Sequence, residues 1–313
     1  MSPVRSCNVP ANNGEPMLLS DALKTHRLTP YAKPAIHSQP QAPGYNFSPF
    51  ENWRNEPFSI NKVGSEWLCY TAAGSLYRQQ IFSSTDALNW TRETPYTLVE
   101  GTPGSWDDKN VETFHVGIRP SPWPWWCAYA GRSVATNKHK IGLACSSDGR
   151  NWIKYASNPV LSYGVGTWDD GEVSRPTVYP RAGWDMLYTG FALSGPSQIG
   201  LAHSDDFFTW TKHPTPILSP GTWDSAEVGY QWPVVDTDGL HVFYAGGPGG
   251  VEARRIGHAF SATGSPFDLV KDPVPLDIDA PAFCPIVYQV DGTWKINWTT
   301  TPYQTDMRAA RWL

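Results

Sequence analysis

The chain has 313 residues, enough for one large domain or two ordinary ones with a complete core. Gly (27) and Pro (29) are abundant, and charged residues make up 17% against a usual ~25%; this balance favours a turn-rich all-β fold over a helical one. A formal charge of −5, and no run near the ~20 apolar residues of a membrane helix, argue against a nucleic-acid partner and against a helical membrane span.

Residues 1–48 begin MSPVRSCNVPANNGEPMLLSDALK and carry no basic start, long apolar run or small-residue cleavage site, so the chain as given is expected to be cytosolic or released by a route other than a secretory signal. Beyond this segment the sequence repeats itself. A strand ending in Tyr-x-Gly recurs as CAYAG, MLYTG and VFYAG, with CYTAA and INWTT as weaker copies. The anchors Tyr70, Tyr129, Tyr188, Tyr244 and Trp298 are spaced by 59, 59, 56 and 54 residues.

Other marks keep the same phase. An Ile-Gly-x-Ala phrase opens at Ile141, Ile199 and Ile256, with a looser copy at Ile81. A Pro-flanked apolar pair follows, as in NPVL and TPIL, and a new unit then opens on Trp-Asp at Trp106, Trp168 and Trp223. Each unit holds about four short strands bounded by turn signals, and five such units predict a five-bladed β-propeller of four-stranded antiparallel blades. The alternation in WDMLYTG and HVFYAGG suits strands buried between neighbouring blades. The last unit is one strand short, so residues 1–48 are expected to supply that strand and close the ring, leaving residues 49–313 as the propeller domain.

Five cysteines, four of them within apolar runs, read as buried free thiols, and no Cys-x-x-Cys pair suggests a zinc site. The Ser-rich turns around Asp86, Asp148 and Asp205 read as hairpins in which the carboxylate accepts from its own backbone. The chain lacks a Gly-rich phosphate loop, HExxH and Gly-x-Ser-x-Gly, which leaves nucleotide, zincin and serine-hydrolase chemistry without support.

In a propeller the first strand of each blade lines the central channel. The five segments entering those strands hold twelve of the 29 acids, together with Trp53, Trp106, Trp168, Trp223, Trp232 and His115. Glycoside hydrolysis needs two carboxyl groups across the scissile bond, and crowded carboxylates separate their pKa values into an acid and a base. Asp107, Asp169 and Asp224 have two readings, since Trp-Asp opens every middle unit: they either belong to the repeat or act in the channel. Glu112, Glu172 and Glu227 stand nearer the channel strand.

The units, above all WDDGEVSRPTVYPRAGWDMLYTG followed by IGLAHSDDFFTW and TPIL, resemble the five-bladed propeller glycoside hydrolases, the family 43, family 32 and related furanosidase group. The resemblance covers nearly all of the chain beyond residue 48 and implies an acid on the innermost strand of each of the first three blades. Carried over by position, it implies Glu56 as base or nucleophile, Glu112 as modulator and Glu172 as general acid, with Glu227 and Asp169 in reserve. Arg175, His115, Trp232, Trp53 and Gln231 are then the substrate-binding set. Glu56 stands in NEPFSI where the family shows Asp-Pro, Val116 stands where Pro is expected, and Arg175 directly precedes Pro176.

The function expected from these residues is hydrolysis of a poly- or oligosaccharide, most of all a furanoside such as arabinan, by a monomer without cofactor. Family members sometimes hold a calcium ion in the channel, and the acids here would permit a structural one. Two alternatives stay open: a carbohydrate-binding propeller without catalysis, and a glycoside phosphorylase with Arg175, Arg254, Arg255 and His258 around a phosphate.

Overall fold

The computed structural model describes residues 28–30, 56–74, 76–87, 89–93, 96–118, 124–250, 253–276, 278, 281–290, 292–299 and 307–312. These residues form antiparallel strands and one short 3-10 turn, Pro266–Asp268. No helix among them is long and apolar enough to cross a membrane.

The strands fall into five units in chain order. The first comprises Glu56–Val63, Glu66–Ala73, Arg78–Ser84 and Thr91–Arg92; the second Asn110–Ile118, Trp125–Arg132, His139–Ser146 and Ile153–Lys154. The third comprises Glu172–Pro180, Trp184–Phe191, Ser197–Ser204 and Thr211–Lys212; the fourth Glu227–Asp236, Gly239–Gly247, Arg255–Ser261 and Val270–Lys271. Within each unit consecutive strands pair antiparallel, and a single parallel bridge from Ser197 to Glu227 joins the third and fourth. The fifth comprises Phe283–Val290, Thr293–Thr299 and Met307–Trp312, with Leu28–Pro30 paired antiparallel on its outer edge. The remainder of residues 1–48 lies outside the described residues, as does Cys7; Cys69, Cys127, Cys145 and Cys284 are buried free thiols.

The hydrophobic cores lie between units rather than within them. Leu68 and Tyr70 of the first unit pack with Val111 and Tyr129 of the second. Trp126 and Ile141 pack with Met186 and Tyr188 of the third, and Leu187 with Val242 and Tyr244 of the fourth. The last cluster joins Trp232 and Phe243 of the fourth unit to Phe283 and Trp298 of the fifth and to Trp67 and Phe82 of the first. Because the second strand of each unit is covered on both faces, Trp125–Gly131 and Gly239–Gly247 are buried at every position. The expected alternation therefore gives way to a continuous apolar run, the pattern of strands covered on both sides.

The repeat motifs form a latch that recurs in three units. Asp107, Asp169 and Asp224 are buried, and each accepts from the repeat tyrosine, Tyr129, Tyr188 or Tyr244, at 3.0–3.1 Å. A lysine from the outermost strand pairs with the same carboxylate: Lys154 at 2.6 Å, Lys212 at 2.7 Å and Lys271 at 2.5 Å. The preceding Trp lies on the tyrosine ring, stacked in the Trp168–Tyr188 and Trp223–Tyr244 pairs and tilted in Trp106–Tyr129. This arrangement dictates the glycines of both phrases. A Cβ on Gly190 would fall 2.4 Å from the Trp168 ring, and one on Gly200 would fall 2.4 Å from the Tyr188 ring.

The Ser-rich turns behave as expected in two of three cases. Asp86 and Asp148 accept from backbone N–H groups three residues on. In the third turn Asp206, not Asp205, does so, accepting from Phe208 and Thr209. The pattern is Ser-x-Asp with Ser204 as its first residue, which places the capping carboxylate one position later than expected.

Candidate active site

The first strands of the units lie side by side in chain order, and Phe283–Val290 of the fifth unit also lies against Glu56–Val63 of the first. Each carries a register break at an equivalent place: Pro57/Ser59, Glu112/His115, Ser174/Thr177, Gly229/Trp232 and Phe283/Ile286. Thr113, Arg175, Tyr230 and Cys284 occupy the breaks in four units, all in the left-handed region at φ 57°, 55°, 52° and 52°. Such a backbone costs on the order of 1–3 kcal/mol per residue without glycine, and it re-aims side chains as bulges do beside functional sites.

The breaks converge on one cavity that is partly open to solvent. Thr113, Arg175, Thr177, Tyr230, Trp232 and Cys284 are among its walls, and among the described residues its lining holds no acid. The Thr113 and Thr177 hydroxyls are buried and have no hydrogen-bond partner among the described residues, so the cavity offers polar atoms beside apolar and aromatic surface.

Register sorts the predicted acids into different slots. Glu172 and Glu227 open their strands opposite Phe191 and Gly247, and Asn110, opposite Arg132, is their counterpart in the second unit. Glu112, opposite Ala130, stands at the break itself, where Ser174 and Gly229 stand in the next two units. Glu56 is opposite Ala72, in line with Val111, Val173 and Val228; its side chain, like all of Trp53, lies outside the described residues.

The structure brings Glu112 and Glu172 together through His139, a residue that sequence reasoning missed. His139 Nδ1 lies 2.9 Å from Glu172 Oε2, its backbone N–H donates to the same oxygen at 3.1 Å, and its Nε2 contacts Glu112 Oε1. Arg132 adds a cation 3.6 Å from Glu172 Oε2. Burial by itself would lift the Glu172 carboxyl, but the hydrogen bonds and charge of His139, with Arg132, outweigh it and hold it down to about 2. Burial likewise opposes ionisation of Glu112, and His139, Arg175 and Arg132 bring it below the usual carboxylate range. Burial would lower the His139 imidazole, yet its two carboxylate partners push it up to about 9. The only sequence signal for His139 is its place two residues before the Ile-Gly-x-Ala phrase.

The other predicted residues are placed as follows. Glu227 is clamped by Arg254 at 2.7 and 2.9 Å. Asp169 belongs to the repeat latch, its oxygens taken by Thr167, Gly164, Tyr188 and Lys212. His115 accepts from the Val178 N–H at 3.1 Å and packs between Trp126 and Trp232; burial holds its imidazole down to about 3, so it is a neutral scaffold group. Gln231 accepts from Thr189 and donates to the Leu187 and Arg175 carbonyls, which ties the break of the third unit to the fourth. Trp232 lines the cavity while its indole N–H donates to Val287 O at 2.8 Å.

Arg175 faces the cavity with its guanidinium carbon 3.5 Å from the centre of the Tyr230 ring. Of the other cations considered for a phosphate, Arg254 is neutralised by Glu227, and His258 is engaged with His241 and Asp272. Among the described residues no group of three or more His, Cys, Asp or Glu converges to hold a metal ion.

No family model matches the chain. It is 30% identical over 188 residues to a fructan 1-exohydrolase of Aegilops speltoides; the match covers 56% of this chain and 31% of the relative, so the chain accounts for about a third of that protein's length. Among solved structures it superposes on a thermostable family-43 glycoside hydrolase with a TM-score of 0.64 at 14% identity, covering 82% of this chain and 89% of the other. It superposes on an endo-arabinase from Bacteroides thetaiotaomicron at 0.66 and 15%, covering 83% and 93%. The family-32 β-fructofuranosidase of Bombyx mori gives 0.65 and 17%, covering 86% and 61%. The resemblance carried by the repeats is thus borne out, and the chain has the fold of the family 43 and family 32 glycoside hydrolases.

Proposed function

We propose that the chain is a glycoside hydrolase acting on furanosides, built as a five-bladed propeller that the N-terminal segment closes. The cyclic order of the first strands and the pairing of Leu28–Pro30 with Met307–Trp312 support the closure. The observation that carries the function is the joining of Glu112 and Glu172 through His139, with Glu112 next in sequence to the cavity residue Thr113, on a fold shared with glycosidases and in a chain similar in sequence to a fructan exohydrolase.

Glu172 acts as the acid on the leaving oxygen, Glu112 tunes the charge beside it, and Glu56 is retained as base or nucleophile. Arg175, Tyr230 and Trp232 bind the sugar through a guanidinium edge and aromatic faces. Fructans are the first substrates we put forward, with the fructan exohydrolase relative in support, and arabinan, the class expected from the repeats, is the second, with the endo-arabinase neighbour in support.

One observation favours a second reading, a carbohydrate-binding propeller without turnover: among the described residues no acid lines the cavity, and both Glu112 and Glu172 are held ionised. Sugar release from inulin-type fructan, levan and arabinan, measured with calorimetric binding on the same glycans, separates the two. Turnover supports the hydrolase; binding without turnover supports the second reading.

A further inference from the structure

Among the described residues Arg175 is the cation of the cavity lining, and no carboxylate of that set pairs with it. Its guanidinium lies instead on aromatic faces, with its carbon 3.5 Å from the centre of the Tyr230 ring and 5.0 Å from that of Phe191. Gly229 makes room for it, since a Cβ there would stand 3.2 Å from Arg175 Nη1 and 2.9 Å from the Thr189 side chain. The cation is thus held by packing rather than by a counter-charge, and stacking leaves N–H groups along its edge.

The charges nearby do not cancel it. Glu112 and Glu172 are held as anions, and against them stand two cations, Arg132 and His139, the latter pushed up to about 9. Arg175 lowers Glu112 through space, but the contact of Glu112 is with His139. Glu227 and Arg254 pair with one another. Over this set the charge of Arg175 is left over, in a lining whose other walls include Phe114, Trp232 and Ile286 and where a charge is weakly screened.

One positive charge with a planar donor edge matches a carboxylate, which brings one negative charge and two coplanar oxygens. A phosphate dianion calls for a second cation, and Arg254 is engaged with Glu227. Thr113 and Thr177, in the same lining, carry buried hydroxyls without a hydrogen-bond partner among the described residues, and a hydroxyl can donate to a carboxylate oxygen.

We propose that this cavity selects an acidic glycan, seating the carboxylate of a uronic acid residue on the edge of Arg175. This rests on the reading of the cavity as the sugar site, and it narrows the substrate to glycans in which an acidic sugar accompanies the furanose.

The test is calorimetric binding of two probes, digalacturonate and the same disaccharide with its carboxyls reduced to primary alcohols, which removes the charge and keeps the ring hydroxyls. Wild type is expected to bind the acid about tenfold or more tighter, with a preference that shrinks as salt is raised. Arg175→Gln is expected to bring the two affinities within about twofold, and Arg175→Lys to keep part of the preference through its charge. Melting curves check that both variants fold, and the wild-type comparison stands without them. Equal affinities in wild type, no binding of either probe, or a preference that survives in folded Arg175→Gln overturns the proposal. Release of sugar from inulin-type fructan or arabinan with equal binding of the two probes overturns the proposal and leaves the glycosidase reading standing. An acid preference lost in Arg175→Gln, without turnover of any glycan, supports the proposal and overturns only the glycosidase reading.

Discussion

The guanidinium carbon of Arg175 sits 3.5 Å from the centre of the Tyr230 ring, and both residues hold left-handed backbones at the register breaks of adjacent strands. A cation laid on an aromatic face keeps its N–H edge available, so the pair forms a rigid donor surface toward the cavity. Arg175→Lys keeps the charge and loses the planar fork. Its expected effect is a rise in KM of about tenfold, equivalent to about 1.4 kcal/mol of binding, with kcat within about threefold. Steady-state kinetics checks this.

The Trp-Asp latch predicts stability effects without catalytic ones. Asp169→Ala leaves Lys212 and the Tyr188 hydroxyl without their buried acceptor, and a loss of about 2–4 kcal/mol is expected in urea unfolding. Activity per folded molecule at low temperature should stay within about twofold, and an effect of a hundredfold or more would return Asp169 to the catalytic set.

Gly200→Ala tests the repeat grammar itself. Its Cβ would stand 2.4 Å from the Tyr188 ring, inside any real contact, so the second and third strands of the unit would have to part. A loss of about 2 kcal/mol or more is expected by denaturant titration. Gly166→Ala meets nothing within 4 Å but sits at φ +69°, and strain alone, about 1 kcal/mol, is expected there.

The charge bridge gives stability a pH signature. The His139 imidazole is pushed up to about 9 in the folded chain, against an unfolded value near ~6.5. Its contribution is therefore complete below about 6.5 and is lost as pH rises through 9. Glu172, held down to about 2, contributes above its unfolded value of ~4.3 and loses that contribution as pH falls toward 2. Melting temperature should fall between pH 7 and 10, and His139→Gln should flatten that limb.

The spacing of Tyr70, Tyr129, Tyr188, Tyr244 and Trp298 revealed the five units because each anchor fills the same gap between neighbouring sheets, and the same steric demand recurs in sequence. The site was less legible. Glu112 stands six residues after Trp106 and Glu172 only four after Trp168, so the register places one at the break and the other two residues before that slot, where the second unit has Asn110. His139 lay on a different strand from either acid, and only folding brings it between them. Gln231 and His115 read as ligands because they flank the channel, and in the structure each hydrogen-bonds the backbone of the third unit, a contact that spacing along the chain does not reveal.

The central claim is that Glu172 serves turnover at this cavity. The most direct measurement is furanose release from inulin-type fructan and from arabinan by wild type and Glu172→Gln, with folding of both checked by their melting curves. Release by wild type on at least one glycan and a drop of about a hundredfold or more in the variant is the predicted result. Release by wild type that the substitution leaves unchanged would contradict the account.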